Sequence, residues 1–574
     1  MDEKNNEALI ASKRYNTLVE EANEYVEHFD ILETITNVGN DEVFTPRKTC
    51  DRMLDSLPVE VWSNPLYKWL NPATKNGIFE REIAIRLDKG LEKIIPNKEE
   101  RRKHIFQNMI FSIGQTKFTS NVARRTLYYC SQANRKCDGL KASDGHYVNG
   151  YSVGNGSWFE DEEGNIKTPT SDHEYVDSKG NRMPSSCKGD ARKKYRCKYC
   201  GMNGTSKYND ANQREKYAYE FIHINHLVLE RHMQRLFFKG DKKMKFDIII
   251  GNPPYQLNDG GGTGSSAGPI YNLFVEQAIS LKPKYLCMII PSRWFSGGKG
   301  LEDFRNKMIN DHRISLLHDY MNAKVCFPTA SIEGGVCYFL WERDYDGECT
   351  IVTHDSDGSI VDKSTRYLGS SASSDIFVRN EKALDILKTV TKNKYKSFDA
   401  IVSSRNPFKL GDPTNQCEIS PTGNSRVLGY FDRTRSFRYL KKGIVIPSGH
   451  ELVDKYKLFV SKADGAAGQI GNPIPARIMG KAELGEPGDV CSETYLVVGP
   501  FISKEQALNA QTYMQTKFFR FMVGIRKNKN MPKDTYKFAP IVDFSKKWTD
   551  KELFEKFGLS KEQISTIETF IAEI

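Results

Sequence analysis

No apolar run in this 574-residue chain approaches the roughly 20 residues needed to span a bilayer, so no membrane segment is expected. The opening residues, Met1-Asp2-Glu3-Lys4-Asn5-Asn6, are polar and acidic, which is not the pattern of a signal peptide. Twelve cysteines without an export signal point to reduced thiols in a cytoplasm rather than to a disulfide framework. No internal repeat is visible, which excludes a solenoid. No PD-(D/E)xK nuclease arrangement and no helicase phosphate loop stands out, so neither of those chemistries is expected of this chain. The first 375 residues also lack net charge, holding 51 Lys plus Arg against 51 Asp plus Glu.

What is present is enough apolar material for more than one core: 39% hydrophobic residues, with 31 Phe and 27 Tyr, over a length that calls for two or three domains. The whole net charge of +10 lies beyond residue 375, where 32 Lys plus Arg face 22 Asp plus Glu. A basic region beside a neutral one is read as a polyanion surface, with an ordinary solvated face as the alternative. Residues 1–40 read as a helical leader of mixed charge. Strand-and-helix alternation over 41–345 predicts a doubly wound α/β sheet, interrupted by a polar, Gly- and Cys-rich insertion at 124–214. "YLCMIIPSRWF" (285–295) and "GGVCYFLWERD" (334–344) read as buried strands, and 270–281 has helical apolar spacing. Residues 346–375 form a linker of hairpin character, and 376–574 a basic, aromatic-rich α+β domain.

The most informative stretch is Phe246-Asp247-Ile248-Ile249-Ile250-Gly251-Asn252-Pro253-Pro254-Tyr255. A buried strand ends at a glycine, and two prolines then fix the exit loop and leave carbonyl oxygens without local amide partners. The Asn252 side-chain carbonyl and the Pro253 backbone carbonyl can each accept one N–H of a planar amino group, while Tyr255 stacks on the ring that carries it. This run resembles the Asn-Pro-Pro-Tyr motif of S-adenosylmethionine-dependent amino methyltransferases, above all the restriction–modification N6-adenine DNA methyltransferases. The likeness runs through "FDIIIGNPPYQL", "GGTG", "PIYNLFVEQA" and "PSRWFSGGKGL", over about the first 345 residues.

The resemblance implies a Rossmann-like methyltransferase sheet, with cofactor motifs first, the catalytic motif next and a target-recognition domain last. Phe44-Thr45-Pro46 matches the family's element beside the methionine part of the cofactor. Asn71-Pro72-Ala73-Thr74-Lys75-Asn76-Gly77-Ile78-Phe79 stands where the family has "DPaxGxGxF". Asn71 replaces the usual leading Asp, and only Gly77 of the usual glycine pair is present. The strand-and-turn "FSIGQT" has the shape of the ribose-binding element but no carboxylate, so Gln115 or Thr116 is expected to take that role. Asp247 reads as a strand-edge residue, Phe327 as a second aromatic around the target base or a core residue, and Gly260 to Gly264 as a loop over the target. The implied reaction is direct displacement on a base flipped out of double-stranded DNA, with any cleavage left to a separate restriction subunit. The alternatives are methylation of a protein glutamine or of cytosine N4, and a catalytically weak DNA-binding subunit.

Cys197 and Cys200 form C-x2-C followed by glycine, the turn of a zinc knuckle, and Cys130 and Cys137 form an upstream C-x6-C. These four are expected to hold a structural zinc ion, with Cys187 a substitute ligand and His146 and His173 in the same insertion. The insertion has little apolar content, which favours a metal staple.

Overall fold

The computed structural model describes residues 43–574 except 115, 129–130, 135–157, 170, 203, 205–216, 239–244, 257–267, 299, 331, 374, 422, 424, 467, 471–473, 529 and 574. The leader, Gln115, Cys130, Cys137, His146 and the Gly260 to Gly264 loop therefore lie outside the described residues. The chain divides into two compact units, Met1–Met288 with Cys326–Ala330, and Ile289–Val325 with Ser331–Ile574.

The first unit is built on parallel strands: β1 (Trp69–Thr74), β2 (Ile110–Gly114), β3 (Ile166–Lys167), β4 (Ile248–Gly251) and β5 (Tyr285–Pro291). They stand in the order β5-β4-β1-β2-β3, and every pairing is parallel. All residues of β1, β2, β4 and β5 are buried, which explains why β4 and β5 read as continuous apolar runs rather than as alternation. Helices α1 (Arg47–Asp55), α2 (Ile78–Gly90), α3 (Lys117–Tyr128) and α4 (Tyr271–Ser280) alternate with the strands. The chain runs outward from β1 to β3 and then returns to β4 on the other side of β1. The crevice beyond the carboxyl ends of β1 and β4 is thus a topological switch point, the usual ligand position in such sheets.

Of the stretch bounded as the insertion, Ile166–Lys167 supplies β3 of the main sheet, Tyr175–Val176 pairs antiparallel with Arg196–Cys197, and Ser171–Asp172 pairs antiparallel with Tyr217–Ala218 just beyond it.

In the second unit, β6 (Ile314–Tyr320) pairs antiparallel with β7 (Val336–Glu342) and parallel with β8 (Cys349–His354). β8 turns back antiparallel onto β9 (Ile360–Arg366), so the stretch read as a linker contains a complete hairpin. Farther on, Arg426–Phe431 and Thr434–Leu440 form a hairpin whose two turn residues, Asp432 and Arg433, have φ of 50° and 62°. That conformation matches the right-handed twist of the flanking strands. Helices Lys504–Gln515 and Lys517–Arg526 share a core with Phe398, Tyr513, Phe519 and Tyr536.

Candidate active site

The loop leaving β1 is shaped by one asparagine and one glutamate. Asn71 Oδ1 accepts the Ala73 amide at 3.1 Å, and its Nδ2 donates to Glu80 Oε1 at 2.9 Å. Ser112 Oγ, from the neighbouring β2, donates to the same Glu80 oxygen at 2.6 Å. Glu80 is only 1% exposed, and its Oε2 has no hydrogen-bond partner among the described residues. The turn into α2 passes through Gly77 at φ +80°, where a Cβ would come within 2.9 Å of the Ala123 backbone. Only glycine meets both demands. Thr45, Asn71, Ala73, Gly77, Phe79, Glu80 and Asn252 are among the residues lining one cleft.

Asn252 lies just beyond β4 and is 2% exposed. Its Nδ2 donates to Val43 O and to Thr45 Oγ1, both at 3.1 Å. Thr45 of the Phe44-Thr45-Pro46 element, with Val43 just before it, therefore fixes the orientation of the Asn252 amide. Asn252 Oδ1 is buried and has no partner among the described residues. A buried unsatisfied acceptor is costly unless a ligand donor completes it. Pro253 and Pro254 are buried and Tyr255 is half-buried, with the Phe327 ring edge-on at 6.4 Å and 78°. Tyr255 O accepts the Ile270 amide at 3.2 Å, closing the loop onto the start of α4. The approach of the two loops is tight: a Cβ on Gly251 would lie 2.6 Å from Asn71 Oδ1.

Residues 108–327 match the model of the Eco57I restriction-modification methylase family. A Mycoplasma pneumoniae protein described as an uncharacterized adenine-specific methylase is 44% identical over 383 residues, which is 65% of this chain and 84% of that protein. The chain belongs to this family of adenine-specific methylases. Among solved structures, the Type IIL restriction-modification enzyme MmeI in complex with DNA is 11% identical, with a TM-score of 0.44 over 86% of this chain and 64% of that one. The DrdV–DNA complex is 10% identical, with a TM-score of 0.46 over 88% and 56%. The methylase thus spans less than two thirds of either solved chain.

In the methylase, Asn71, Ala73, Gly77, Phe79 and Thr45 all reach the cleft, whereas Thr116 is turned away to other work. Its Oγ1 meets Thr119 Oγ1 at 2.8 Å and accepts the Thr119 amide at 3.1 Å, which caps α3. Asp247 Oδ2 accepts the Lys68 amide at 3.0 Å, a strand-edge contact. Phe44, Phe327 and Pro72 are buried. Burial pushes the Cys287 and Cys326 thiols up to about 12, so neither is a nucleophile near neutral pH. The residue that motif reading missed is Glu80, one position beyond Phe79. Its only sequence signal is an acid in the first turn of a helix, a common capping pattern.

Of the expected four-cysteine metal set, Cys130 and Cys137 lie outside the described residues. Cys197 and Cys200 meet His173 and His223, while Cys187 is absent from this group.

Proposed function

We propose that the cleft holds S-adenosylmethionine and that Asn252, Pro253, Pro254 and Tyr255 present the amino group of a flipped adenine to it. The observation that carries this reading is the buried acceptor Asn252 Oδ1, which has no partner among the described residues while its own amide nitrogen is committed to Val43 and Thr45. An acceptor fixed in this way selects an N–H donor and rejects a carbonyl. The Pro253 carbonyl takes the second N–H, and Tyr255 holds the ring by stacking, worth about 1–3 kcal/mol per base. Together they align the nitrogen lone pair out of ring conjugation. The bound cofactor supplies a methyl group already activated by a sulfonium, so the protein needs no covalent intermediate and no strong base. Glu80, with Asn71, supplies the negative charge that the usual leading Asp would carry toward the cofactor's cationic part. The ribose contact is assigned to Gln115 or to a neutral group near it.

On the same reading, residues 41–345 are catalytic and 376–574 recognise the target sequence. Phosphate contacts from the basic excess position the duplex. The Arg435 and Arg438 guanidiniums already lie over the Tyr495 and Phe431 rings, within the hairpin region that mixes basic and aromatic residues. Cleavage in the restriction–modification system falls to a separate protein. A structural zinc ion in the insertion belongs to the same reading and takes no part in the transfer.

Incubation with S-adenosylmethionine and mixed-sequence duplex DNA, followed by digestion to nucleosides, tests the proposal. N6-methyladenosine is expected. N4-methylcytosine, or label confined to protein, would overturn it.

A further inference from the structure

The Cys197-Lys198-Tyr199-Cys200 turn is tightly closed. Gly201 N donates to Cys197 O and Cys197 N to Met202 O, both at 2.8 Å, with Gly201 at φ +73°. The turn is hung on Tyr175–Val176 through the register pair Tyr175 with Cys197, which brings the nearby His173 alongside. Cys200 Sγ lies 3.5 Å from His173 Nδ1, and Cys197 Sγ lies 3.5 Å from His223 Nε2. One ligand atom from each of the four residues lies within 4.8 Å of the others, and three of the residues are buried. For a tetrahedral zinc ion with bonds of about 2.3 Å to sulfur and about 2.05 Å to nitrogen, adjacent S and N ligands stand about 3.6 Å apart. The observed spacing is that of a metal shell.

We infer that His173, Cys197, Cys200 and His223 bind one structural zinc ion, and that this ion braces the catalytic loop through α4. The second ring nitrogen of His223, Nδ1, meets Tyr219 O at 2.8 Å, which leaves Nε2 as the ligating atom. All four positions carry ligands, so no open coordination site remains for chemistry on substrate. His223 ends the short helix Glu220–Ile222, which lies against α4. Gln277 of α4 donates to Phe221 O at 3.2 Å and to Ile224 O at 2.7 Å, on both sides of His223. The Phe221 and Phe274 rings stack with centroids 5.8 Å apart. α4 in turn begins where Ile270 bonds to Tyr255. The metal therefore fixes the far anchor of the loop that carries Asn252 and Tyr255.

The test uses the full chain purified without added metal. Elemental analysis is expected to give about one zinc per chain. Cys130→Ser, Cys137→Ser and Cys187→Ser should keep it, while Cys200→Ser and His223→Ala should lose it. Because loss of a ligand residue can itself unfold the insertion, wild-type protein stripped by chelation is also titrated with cobalt(II). Intense tetrahedral bands with thiolate charge transfer are expected, together with restored hydrogen-exchange protection of the Tyr271–Ser280 amides. Zinc well below one per chain, weak octahedral cobalt bands, or zinc lost on Cys130→Ser or Cys137→Ser but kept by His223→Ala would overturn the assignment. Unchanged protection of α4 on metal removal would overturn the bracing role.

Discussion

Replacing Glu80 by glutamine should weaken S-adenosylmethionine binding while leaving the fold in place. Glutamine keeps an oxygen for Asn71 Nδ2 and Ser112 Oγ, which donate at 2.9 and 2.6 Å. What changes is the other end, where a carboxylate oxygen with no partner among the described residues becomes an NH2 donor. A hydrogen bond to a charged group contributes about 1.5–3 kcal/mol. At about 1.4 kcal/mol per factor of ten, cofactor affinity should fall roughly 10- to 150-fold. The assay is calorimetric titration of wild type and Glu80→Gln with S-adenosylmethionine and, separately, with 5′-methylthioadenosine. The second ligand keeps the nucleoside and the sulfur but lacks the sulfonium charge and the amino-acid ammonium. Its affinity should change by no more than about threefold, which is about 0.7 kcal/mol. Equal losses for both ligands would show that Glu80 only shapes the loop. No loss for either would refute its electrostatic role.

Gly251→Ala places a methyl 2.6 Å from Asn71 Oδ1, an atom already held by the Ala73 amide. Overpacking of this kind costs about 1–3 kcal/mol, so a lower Tm and weaker cofactor binding are expected together; a normal Tm with normal binding would contradict the tight approach of the loops. Tyr255→Phe should retain transfer to within a few-fold, whereas Tyr255→Ala should raise the dissociation constant for DNA carrying an already unpaired adenine, by up to about 3 kcal/mol in binding. For Asp375, burial alone would raise the pKa, but Arg526 at 2.7 Å and Lys537 at 3.0 Å hold it at about 2, below the ordinary 3.8. A depressed carboxylate stabilises the fold above its unfolded pKa, and that contribution is lost as pH falls through the folded one. Urea midpoints of wild type and Asp375→Asn should therefore differ by a constant amount above pH 3.8 and converge near pH 2; a gap that persists at pH 2 would exclude this ion pair as its source.

The Asn-Pro-Pro-Tyr loop was legible because its pattern is local. Three isoleucines, a glycine and Asn-Pro-Pro-Tyr specify a buried strand and a rigid exit, and β4 ends at Gly251 as that pattern requires. The α4 helix was legible from the apolar spacing over 270–281 for the same reason. Glu80 was not legible, because its partners Asn71 and Ser112 are 9 and 32 residues away, and only strand pairing brings them together. His223 was missed likewise: it lies 26 residues from Cys197, beyond the stretch bounded as the insertion, and it looks like an ordinary loop histidine. For Thr116 the legible part was a neutral hydroxyl near the ribose element; what the sequence did not display is that this hydroxyl accepts the Thr119 amide and caps α3.

The most direct test of the account is single-turnover methyl transfer to duplex DNA by wild type and Asn252→Ala, with cofactor affinity measured on the same preparations. The account predicts N6-methyladenosine from the wild type, a rate at least about 100-fold lower for Asn252→Ala, and cofactor affinity unchanged between the two. Transfer by Asn252→Ala at the wild-type rate would contradict the role given to its buried carbonyl.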